Sequence, residues 1–519
     1  MAVKKEKMKT EFAKSEKETE QKKASEQKSK LGGTVGGEAP RHGHNLLGLN
    51  YKKNENFGEW YLEVIKKSDI VDERVPIKGF NVLMPEGYEI WHQMMDHLDG
   101  LLKKIGVQNY YFPLLIPERF LKRESEHFKG FSPETAWVTH AGDTKLEERL
   151  AIRPTSETIM YEMFKLWIRS YQDLPLKVNQ YTNIVRWDTK STKPLIRDRE
   201  FLWHETHSAH ATADEAEKEV DEALKIYRSL ISGLLGISYL ELVRPEWDKF
   251  AGAEYSVALD SVMPDGKILQ IGTVHNLGQN FSKPLEMVYL DSDGKKKYPY
   301  QICYGVTTRL LGALIGIHGD DRGLILPPEV APVQIAIVPI YTKETREKVL
   351  EKTGEIFGRL EKAYRVKLDD SEKTPGFKFH EHELKGVPLR IEIGPRDLEK
   401  KQVTLVRRDL LEKIPVDEEN IERQITETLD SIFLQLKKRS EESLVVRDAK
   451  SYDELKENLN AGGFVRINFC MNESCAEKIK ADTKAEVRGT LFSIEEKVSG
   501  NCAVCGGKAL ARAYVARAY

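Results

Sequence analysis

The sequence predicts an α+β domain built on an antiparallel sheet, followed by a small α/β domain and a C-terminal α/β domain that binds zinc. Three observations favour this order. Strand-like and helical runs alternate between residues 150 and 325, prolines cluster at residues 326–332, and four of the five cysteines fall within residues 470–505. Clustered prolines fix the backbone and block a helix, so we place a domain boundary there. A chain of 519 residues is expected to form about three or four units.

Residues 1–44 are predicted to be a disordered extension rich in lysine and glutamate, because they carry too few apolar side chains to offset the entropy of ordering. They contain no apolar signal core, and no arginine precedes Arg41. Neither a secretory nor a mitochondrial signal is indicated, so we expect a cytoplasmic protein. Two roles stay open for the extension, a tether for RNA or a partner protein and a solubilising tail.

Composition argues against several classes of protein. The 80 Lys and Arg residues balance 82 Asp and Glu residues, for a net charge of −2, which is not typical of a basic protein that coats nucleic acid. Contact with nucleic acid is therefore expected to be local. No apolar run approaches the roughly 18 residues that span a bilayer, so we expect no membrane association.

The first folded domain is expected over residues 45–325. Residues 88–105 show apolar positions at helical spacing and run into a β-prone segment at 107–116. Pro113 interrupts this segment, where proline fits an edge strand, a bulge or an interface. Beyond it the sequence predicts an antiparallel sheet flanked by helices, with strands at 176–184, 200–210 and 267–272 and helices at 158–170 and 212–235.

The second domain is expected over residues 326–441 and the third over residues 442–519. The second alternates strands and helices, as a three-layer α/β unit does, with strands at 333–340, 389–394 and 403–409 and helices at 343–363 and 417–438.

Four cysteines of the third domain are arranged as Cys470-x4-Cys475 and Cys502-x2-Cys505. Two close thiolate pairs, each on a turn, can surround zinc tetrahedrally. Four thiolates leave no open coordination position, so the predicted zinc ion is structural. Four unligated thiols are the alternative.

A basic hairpin lies between residues 185 and 210. Two strand-like runs flank a loop rich in Lys and Arg, so several cations project toward a common space that suits a polyphosphate. Arg186 and Arg197 lie next to aromatic residues, and arginine binds phosphate bidentately while a ring stacks on a base. A solvated basic hairpin is the alternative.

A further arginine, Arg309, lies in an apolar helix that we expect to begin at Gly305. A buried arginine is unfavourable without an anionic partner. The position therefore indicates an anionic ligand or, alternatively, a structural salt bridge.

The histidines show two contrasting patterns. His204 and His207 are spaced by three in a strand-like run, whereas a zinc-protease site needs i and i+4 on a helix, so we predict no metal there. His275 is expected on a turn after a strand, among amide and hydroxyl side chains that suit a ligand pocket. A satisfied core histidine is the alternative.

Several segments together resemble the class II aminoacyl-tRNA synthetases. Pro113 in Tyr-Phe-Pro-Leu-Leu resembles motif 1, residues 186–205 resemble motif 2 and residues 305–316 resemble motif 3. Four further segments are similar to prolyl-tRNA synthetases of the archaeal and eukaryotic type: Arg-Pro-Thr-Ser-Glu-Thr at 153–158, Arg-Glu-Phe-Leu-Trp at 199–203, Gly-Gln-Asn-Phe-Ser at 278–282, and residues 383–396. The resemblance extends from about residue 45 to residue 519. The resemblance implies a class II catalytic domain, an anticodon-binding domain and a C-terminal zinc domain.

The same resemblance implies a function. The expected reaction is the ATP-dependent activation of L-proline to prolyl-adenylate, with magnesium bound to ATP, and transfer of proline to the 3′ end of tRNA(Pro) in a homodimeric enzyme. It assigns catalysis to Arg186, Arg197 and Arg309. It assigns proline binding to Thr155, Glu157, Arg186, Trp203 and His275. It assigns ATP binding to Arg186, Arg197, Phe201, Gln270, Thr273, Thr307 and Arg309. Candidate tRNA contacts are Phe379, Glu383, Lys385 and Arg390.

The sequence departs from the family pattern at two positions, with Asp188 in place of a glutamate and Cys303 in place of a small hydroxyl residue. Two other functions stay open. A catalytically silent paralogue would bind tRNA or regulate a partner, since a fold does not guarantee its chemistry. A zinc-dependent nucleic-acid-binding scaffold would need a dominant basic patch, which the net charge of −2 does not favour.

Overall fold

The computed structural model describes residues 48–127, 135–187 and 191–519, except for the side chains of 123–127, and these residues belong to one compact unit that begins at Leu47. The predicted N-terminal extension and Asp188 lie outside the described residues. Within these ranges, none of the helices has the length and the hydropathy to cross a bilayer.

Helices and short strands form the chain up to residue 152. They are α1 (Phe57–Lys67), β1 (Val71–Asp72), β2 (Val82–Leu83), α2 (Pro85–Lys104), β3 (Gln108–Asn109), β4 (Leu115–Pro117), α3 (Glu118–His127), β5 (Trp137–Ala141) and β6 (Thr144–Ile152).

The helix predicted at 88–105 is confirmed as α2, which begins three residues earlier because proline fits the first turn of a helix. Its side chains Ile90, Met94 and Leu98 recur every four residues and are buried in one core with α1. The β-prone segment at 107–116 forms two short strands, β3 and β4, and Pro113 lies between them.

Among the described residues, the central part of the chain forms six strands of a large sheet, a separate two-stranded sheet, three α-helices and a π-helix, Arg228–Leu234. They are α4 (Glu157–Trp167), β7 (Leu176–Val185), β8 (Glu200–His210), α5 (Ala213–Tyr227), β9 (Leu240–Val243), β10 (Tyr255–Val262), β11 (Ile268–Gly278), β12 (Tyr289–Leu290), β13 (Lys296–Lys297), β14 (Tyr300–Thr307) and α6 (Arg309–His318).

Two local expectations in this part were wrong. Gly305 lies inside β14 and does not begin α6; a Cβ at this position would lie 2.9 Å from the carbonyl oxygen of His204 in neighbouring β8. The absence of a side chain at Gly305 therefore allows β14 to lie close to β8. His275 lies inside β11 and not on a turn, because the strand continues to Gly278.

The remaining elements follow residue 330. They are β15 (Ile335–Pro339), α7 (Arg346–Leu360), β16 (Val366–Leu368), α8 (Pro375–Leu384), β17 (Leu389–Ile393), α9 (Pro395–Lys400), β18 (Gln402–Arg407), β19 (Lys413–Asp417), α10 (Ile421–Ser443), β20 (Val446–Ala449), α11 (Tyr452–Asn460), β21 (Phe464–Phe469), α12 (Glu473–Thr483), β22 (Glu486–Leu491) and β23 (Ala511–Ala516).

A five-stranded sheet in the order β16-β15-β17-β18-β19 forms the second folded region. Its strand β15 is a continuous apolar run, Ile335–Pro339, that is buried throughout, because α7 and α10 pack side chains into the same core. The alternation of strand and helix that the sequence predicts here is confirmed in type, with boundaries shifted by a few residues.

An eleven-stranded sheet in the order β20-β21-β23-β22-β9-β10-β11-β14-β8-β7-β3 dominates the molecule. Strands β9, β10, β11, β14, β8 and β7 are antiparallel neighbours, which confirms the predicted antiparallel sheet. The sequence analysis named only β7, β8 and β11 of these six strands. Strand β22 pairs with β9, at Thr490 and Val243, so the C-terminal strands extend the sheet of the first domain. The three domain boundaries taken from the sequence stay predictions.

Candidate active site

A cavity of about 1050 Å³ lies over strands β8, β10, β11 and β14 of the large sheet. Every residue that the sequence analysis assigned to ATP or proline lines it. These residues are Thr155, Glu157, Arg186, Arg197, Phe201, Trp203, Gln270, Thr273, His275, Thr307 and Arg309.

Strand geometry explains part of this convergence. Side chains two residues apart on a strand point to the same face of the sheet. Strand β8 therefore contributes alternate residues to the cavity, namely Phe201, Trp203, Glu205 and His207. Strand β14 contributes its consecutive residues 303–307.

Arg309, the first residue of α6, lies at the edge of this cavity with its guanidinium held by the backbone. Its Nε donates to the carbonyl oxygen of Ile196 at 3.0 Å and its Nη1 to that of Gln270 at 3.2 Å. Burial, with the neighbouring Arg186 and Arg197, lowers the pKa of Arg309 to about 10, so the side chain stays charged at neutral pH. These hydrogen bonds position a cation without neutralising it.

Arg186 and Arg197 bring two more cations to the same cavity. The guanidinium carbon of Arg186 lies 5.8 Å from the ring centroid of Phe201 and 5.9 Å from that of Trp203. Its Nε donates to the carbonyl oxygen of Pro154 at 3.1 Å. Three guanidinium groups in one cavity repel one another, so the arrangement favours a ligand with several negative charges.

Glu157, the first residue of α4, also lines the cavity. Its side chain is buried, accepts a hydrogen bond from the hydroxyl of Thr155, and lies 4.0 Å from the Sγ of Cys303. A buried carboxylate is stabilised by a donor or a cation. The site therefore suits the positive amino or imino group of a small ligand.

His275 and two aromatic rings border this carboxylate. The ring of His275 lies 4.8 Å from that of Phe250, and its Nδ1 is 2.7 Å from the Oγ of Ser256. Burial lowers the pKa of His275 to about 4, so the imidazole is neutral at physiological pH. Trp203 Nε1 is buried and has no hydrogen-bond partner within the described ranges. The walls are thus flat, uncharged and of a size for a small apolar ring.

His207 lies beneath the pocket with both ring nitrogens engaged. Nδ1 is 2.9 Å from the hydroxyl of Tyr161 and Nε2 is 3.1 Å from a carboxylate oxygen of Glu205. Burial opposes protonation, but the hydrogen bond to Glu205 and the charges of Glu157 and Glu205 together outweigh it and raise the pKa of His207. His207 lies close to Glu157 and Cys303, yet its nitrogens are occupied, so we assign no metal to these three residues.

The four C-terminal cysteines converge as the sequence predicts. The Sγ of Cys470 lies 3.6 Å from that of Cys475 and 3.8 Å from that of Cys505, and all four sulfurs lie within 4.8 Å of one another. Four sulfurs at about 2.3 Å from a tetrahedral zinc ion are about 3.8 Å apart. The cluster fits zinc.

Comparison with known proteins places these sites in a family. A family model described as tRNA synthetase class II core domain (G, H, P, S and T) matches residues 137–318, an anticodon binding domain matches 334–428, and "Prolyl-tRNA synthetase, C-terminal" matches 452–519. A "Proline--tRNA ligase" from Natranaerobius thermophilus is 45% identical over 88% of this chain and 94% of its own length. The protein of that name from Methanopyrus kandleri is 46% identical over 89% and 96%.

The chain belongs to the prolyl-tRNA synthetase family.

Two solved prolyl-tRNA synthetases have the same fold. The enzyme from Cryptosporidium parvum, complexed with halofuginone and AMPPNP, superposes with a TM-score of 0.87 at 38% identity and covers 92% of this chain and 100% of its own. The Giardia lamblia enzyme with prolyl-adenylate has the same TM-score and identity, over 90% and 99%. The predicted family and class II fold are confirmed.

The four candidate tRNA contacts of this family member are engaged within the chain. Arg390 pairs with Glu383 at 3.1 Å, and its guanidinium lies 4.2 Å from the ring centroid of Phe379. Lys385 binds Glu86 of α2 at 2.9 Å. Glu383 and Arg390 are both buried. Their contact with tRNA stays a prediction, and the geometry gives Lys385 a structural role, since it ties the end of α8 to α2.

Among the charged residues that the sequence analysis left unassigned are two that line the cavity and a third that both of them bind. Asp260 is wholly buried in β10, and Arg244 and Arg488 bind it from two sides. A lone carboxylate within the apolar run of β10 was the one available signal. Arg488 gave none, because it belongs to the C-terminal domain and reaches the site only through the pairing of β22 with β9.

Proposed function

We propose that the chain catalyses the ATP-dependent activation of L-proline and its transfer to tRNA(Pro). One observation carries this conclusion: Arg186, Arg197 and Arg309 converge on a single cavity that the buried Glu157 also lines. Cations suit the phosphates of ATP, and the carboxylate suits the imino group of proline. The names of the relatives and the prolyl-adenylate bound to the Giardia lamblia enzyme support the same chemistry.

In the first step, the carboxylate of proline attacks the α-phosphate of ATP in line with departing pyrophosphate. The product is prolyl-adenylate. This displacement needs alignment and dispersed positive charge more than a protein base. Arg186 would contact the α-phosphate and the proline carboxylate, and Arg197 and Arg309 the outer phosphates, while magnesium bound with ATP offsets further phosphate charge.

The rest of the nucleotide would lie over the large sheet. Phe201 offers a ring face for adenine, and Gln270, Thr273 and Thr307 offer amide and hydroxyl groups for the ribose and phosphates. The guanidinium of Arg186 lies 5.8 Å from the centroid of the Phe201 ring, so it would lie beside an adenine ring that contacts Phe201.

Proline would bind beside Glu157 in the cavity. The carboxylate of Glu157 would accept a hydrogen bond from the imino group of proline. The hydroxyl of Thr155 donates to the same Glu157 carboxylate and holds it in place. Trp203 and neutral His275 enclose the pyrrolidine ring. A pocket that fits proline excludes a smaller side chain by only about 1–3 kcal/mol, so some activation of alanine is expected.

In the second step, the terminal ribose hydroxyl of tRNA(Pro) attacks the activated carbonyl and releases AMP. The region of residues 326–441 would read the anticodon, since unpaired bases are recognised by stacking and by hydrogen bonds to their edges. Phe379, Glu383, Lys385 and Arg390 remain the candidate contacts. We place this activity in cytoplasmic translation.

The cysteine cluster is proposed to hold one structural zinc ion through Cys470, Cys475, Cys502 and Cys505. Zinc at this position would cross-link the segment after β21 to the loop before β23. Four thiolates fill the coordination sphere, so the ion has no catalytic position.

A homodimer is proposed from an exposed apolar surface around motif 1. The rings of Tyr110 and Phe112 pack on Trp167 of α4, at 5.6 and 6.0 Å between centroids. The same surface exposes large apolar side chains that a second copy of the chain would cover, namely Tyr111, Leu114, Leu115, Leu166, Trp167 and Tyr171.

The test is ATP–pyrophosphate exchange with proline, alanine or cysteine, with and without tRNA. Exchange should depend on proline, and Arg186→Ala should slow it about 100- to 1000-fold. The exposed Arg346, which pairs with Glu372, provides a control substitution to Ala. Folded, zinc-loaded protein that supports no exchange with any amino acid would favour the silent paralogue instead.

A further inference from the structure

A buried hydrogen-bonded chain of four residues links the C-terminal domain to the candidate nucleotide site. Asp260 of β10 lies at its centre with no exposed surface. Both carboxylate oxygens accept from Arg244, at 3.0 and 2.9 Å, and both accept from Arg488, at 2.9 and 3.2 Å. A single carboxylate thus holds two arginines in fixed positions.

Arg244 continues the chain toward the cavity. Its Nη2 donates to the Oε1 of Gln270 at 2.8 Å, and its Nη1 donates to the carbonyl oxygen of Arg488 at 2.6 Å. An arginine side chain can only donate, so the amide atom facing it must be the oxygen. The Nε2 of Gln270 is therefore left as the donor that this residue offers to a ligand in the cavity.

The backbone of β22 is shaped to deliver Arg488 to this position. The pairing of β22 with β23 shifts register between Val487 and Gly489, so Arg488 is the extra residue of a β-bulge. Bulges re-aim side chains and occur often beside active sites. Gly489 has φ +127°, and a Cβ there would lie 2.0 Å from the carbonyl oxygen of Val243, so only glycine allows this close approach.

We propose that strand β22 of the C-terminal domain is part of the nucleotide site, because Arg488 and Asp260 lock Arg244, and Arg244 orients the Gln270 amide toward ATP. Arg244 and Arg488 are positioning residues that act through Gln270. The inference rests on the proposed function, which supplies ATP as the ligand. It gives the C-terminal domain a role that the zinc cluster alone does not explain.

The experiment compares the KM for ATP with the KM for proline in exchange assays. Arg244→Met and Gln270→Ala should each raise the KM for ATP at least about tenfold, and Arg488→Met at least about threefold. The KM for proline should change less than about twofold. The control Arg466→Met removes an arginine of the same C-terminal sheet that pairs with Asp448 and should leave both constants unchanged.

A double-mutant cycle separates positioning from general damage. If Arg244 acts through Gln270, the variant with both Arg244→Met and Gln270→Ala should be no worse than Gln270→Ala alone. If Arg244→Met does not fold, Arg244→Lys is measured instead. It should also raise the KM for ATP, because lysine keeps the charge beside Asp260 but cannot also reach Gln270. The proposal is wrong if the effects of the two substitutions on the KM for ATP multiply in the double variant, or if kcat falls at an unchanged KM for ATP.

Direct binding of ATP with magnesium, measured by calorimetry without proline, distinguishes this inference from the proposed function. If the wild-type chain catalyses no exchange, the proposed function fails, and the binding of ATP to the same variants decides the inference. Affinity weakened at least about threefold by Arg488→Met supports it. Unchanged affinity contradicts it.

Discussion

The guanidinium of Arg408 donates two hydrogen bonds to the carboxylate of Asp320, at 2.9 and 2.6 Å. Arg408 follows β18 of the five-stranded sheet, and Asp320 follows α6, the helix whose first residue is Arg309. Arg408 also donates to the carbonyl oxygen of Glu383 at 2.8 Å. The pair therefore ties the proposed anticodon-binding region to the helix that carries a proposed catalytic residue.

Replacing Asp320 with Ala should destabilise the chain by about 3 kcal/mol, because it leaves the buried Arg408 side chain without its carboxylate. Urea unfolding measures the change. The exposed pair of Asp453 with Lys456 provides the control, and Asp453→Ala should cost less than about 1 kcal/mol. Equal losses in the two variants would contradict the structural role of the pair.

Asp198 should make the stability of the wild-type chain fall as pH rises. Burial raises the pKa of Asp198 to about 7, although Leu195 N–H and Asn81 Nδ2 donate to its carboxylate. The unfolded state loses this proton near pH 3.9, so between about pH 4 and 7 the folded state binds the extra proton. The free energy of unfolding then falls by about 1.4 kcal/mol per pH unit.

The variant Asp198→Asn cannot titrate and should lack this contribution. Between about pH 5 and 7, the wild type is expected to lose about 2 kcal/mol more than the variant in urea unfolding. Because other groups titrate alike in both proteins, the difference between the two slopes isolates Asp198. Parallel slopes would show that Asp198 is ionised in the folded state.

Metal analysis should find about one zinc ion per chain, bound by the four clustered thiolates. Cys502→Ser should abolish this content and lower the unfolding midpoint, since the site closes two distant segments together. Cys303 is the matched control, because it is buried in the candidate active site. If Cys303→Ser lost its zinc while Cys502→Ser kept it, the ion would not lie in the four-cysteine cluster.

Gly489→Ala should destabilise the junction between β22 and β9, because the added Cβ would overlap the carbonyl of Val243 and the backbone has φ +127°. We expect a loss of more than about 1 kcal/mol and a raised KM for ATP. Gly358 lies in α7 with open space around its Cα, so Gly358→Ala should be neutral or stabilising. If the two variants had the same stability and the same KM for ATP, the close approach of Gly489 to the carbonyl of Val243 would be contradicted.

Tyr111→Asp should convert a dimer to monomers in size-exclusion chromatography with light scattering. Tyr111 is 79% exposed on the apolar surface around motif 1, and a charge there would be buried unpaired at the interface. Leu434, exposed on α10, provides the control, and Leu434→Asp should leave the mass unchanged. A monomeric wild type would rule out the proposed homodimer.

Local patterns were sufficient for most of the secondary structure. Helix α2, strands β7 and β8, and α10 each show their periodicity over ten or more residues, where pattern outweighs context. Gly305 and His275 were misplaced, because a glycine or a polar residue inside a strand looks like a turn until its neighbours are known. At Gly305 the neighbour is the backbone of His204.

The candidate tRNA contacts show another limit of sequence reasoning. Glu383, Lys385 and Arg390 are charged, so a linear pattern suggests exposed residues that are free to bind RNA. The structure pairs each of them with a residue of opposite charge, and two of those partners, Glu86 and Asp69, come from the first domain. Charge alone does not reveal which partner a fold supplies.

The sequence by itself determined the longer helices and strands, the cysteine spacing and the family motifs, because each of these resides in neighbouring residues. The tertiary structure decided which distant segments meet. Arg309 joins Arg186 and Arg197 only when β14 pairs with β8, and Arg488 reaches Asp260 only when β22 pairs with β9. Pairing between remote strands depends on the packing of the whole sheet, and that packing leaves no signature in a short stretch of chain.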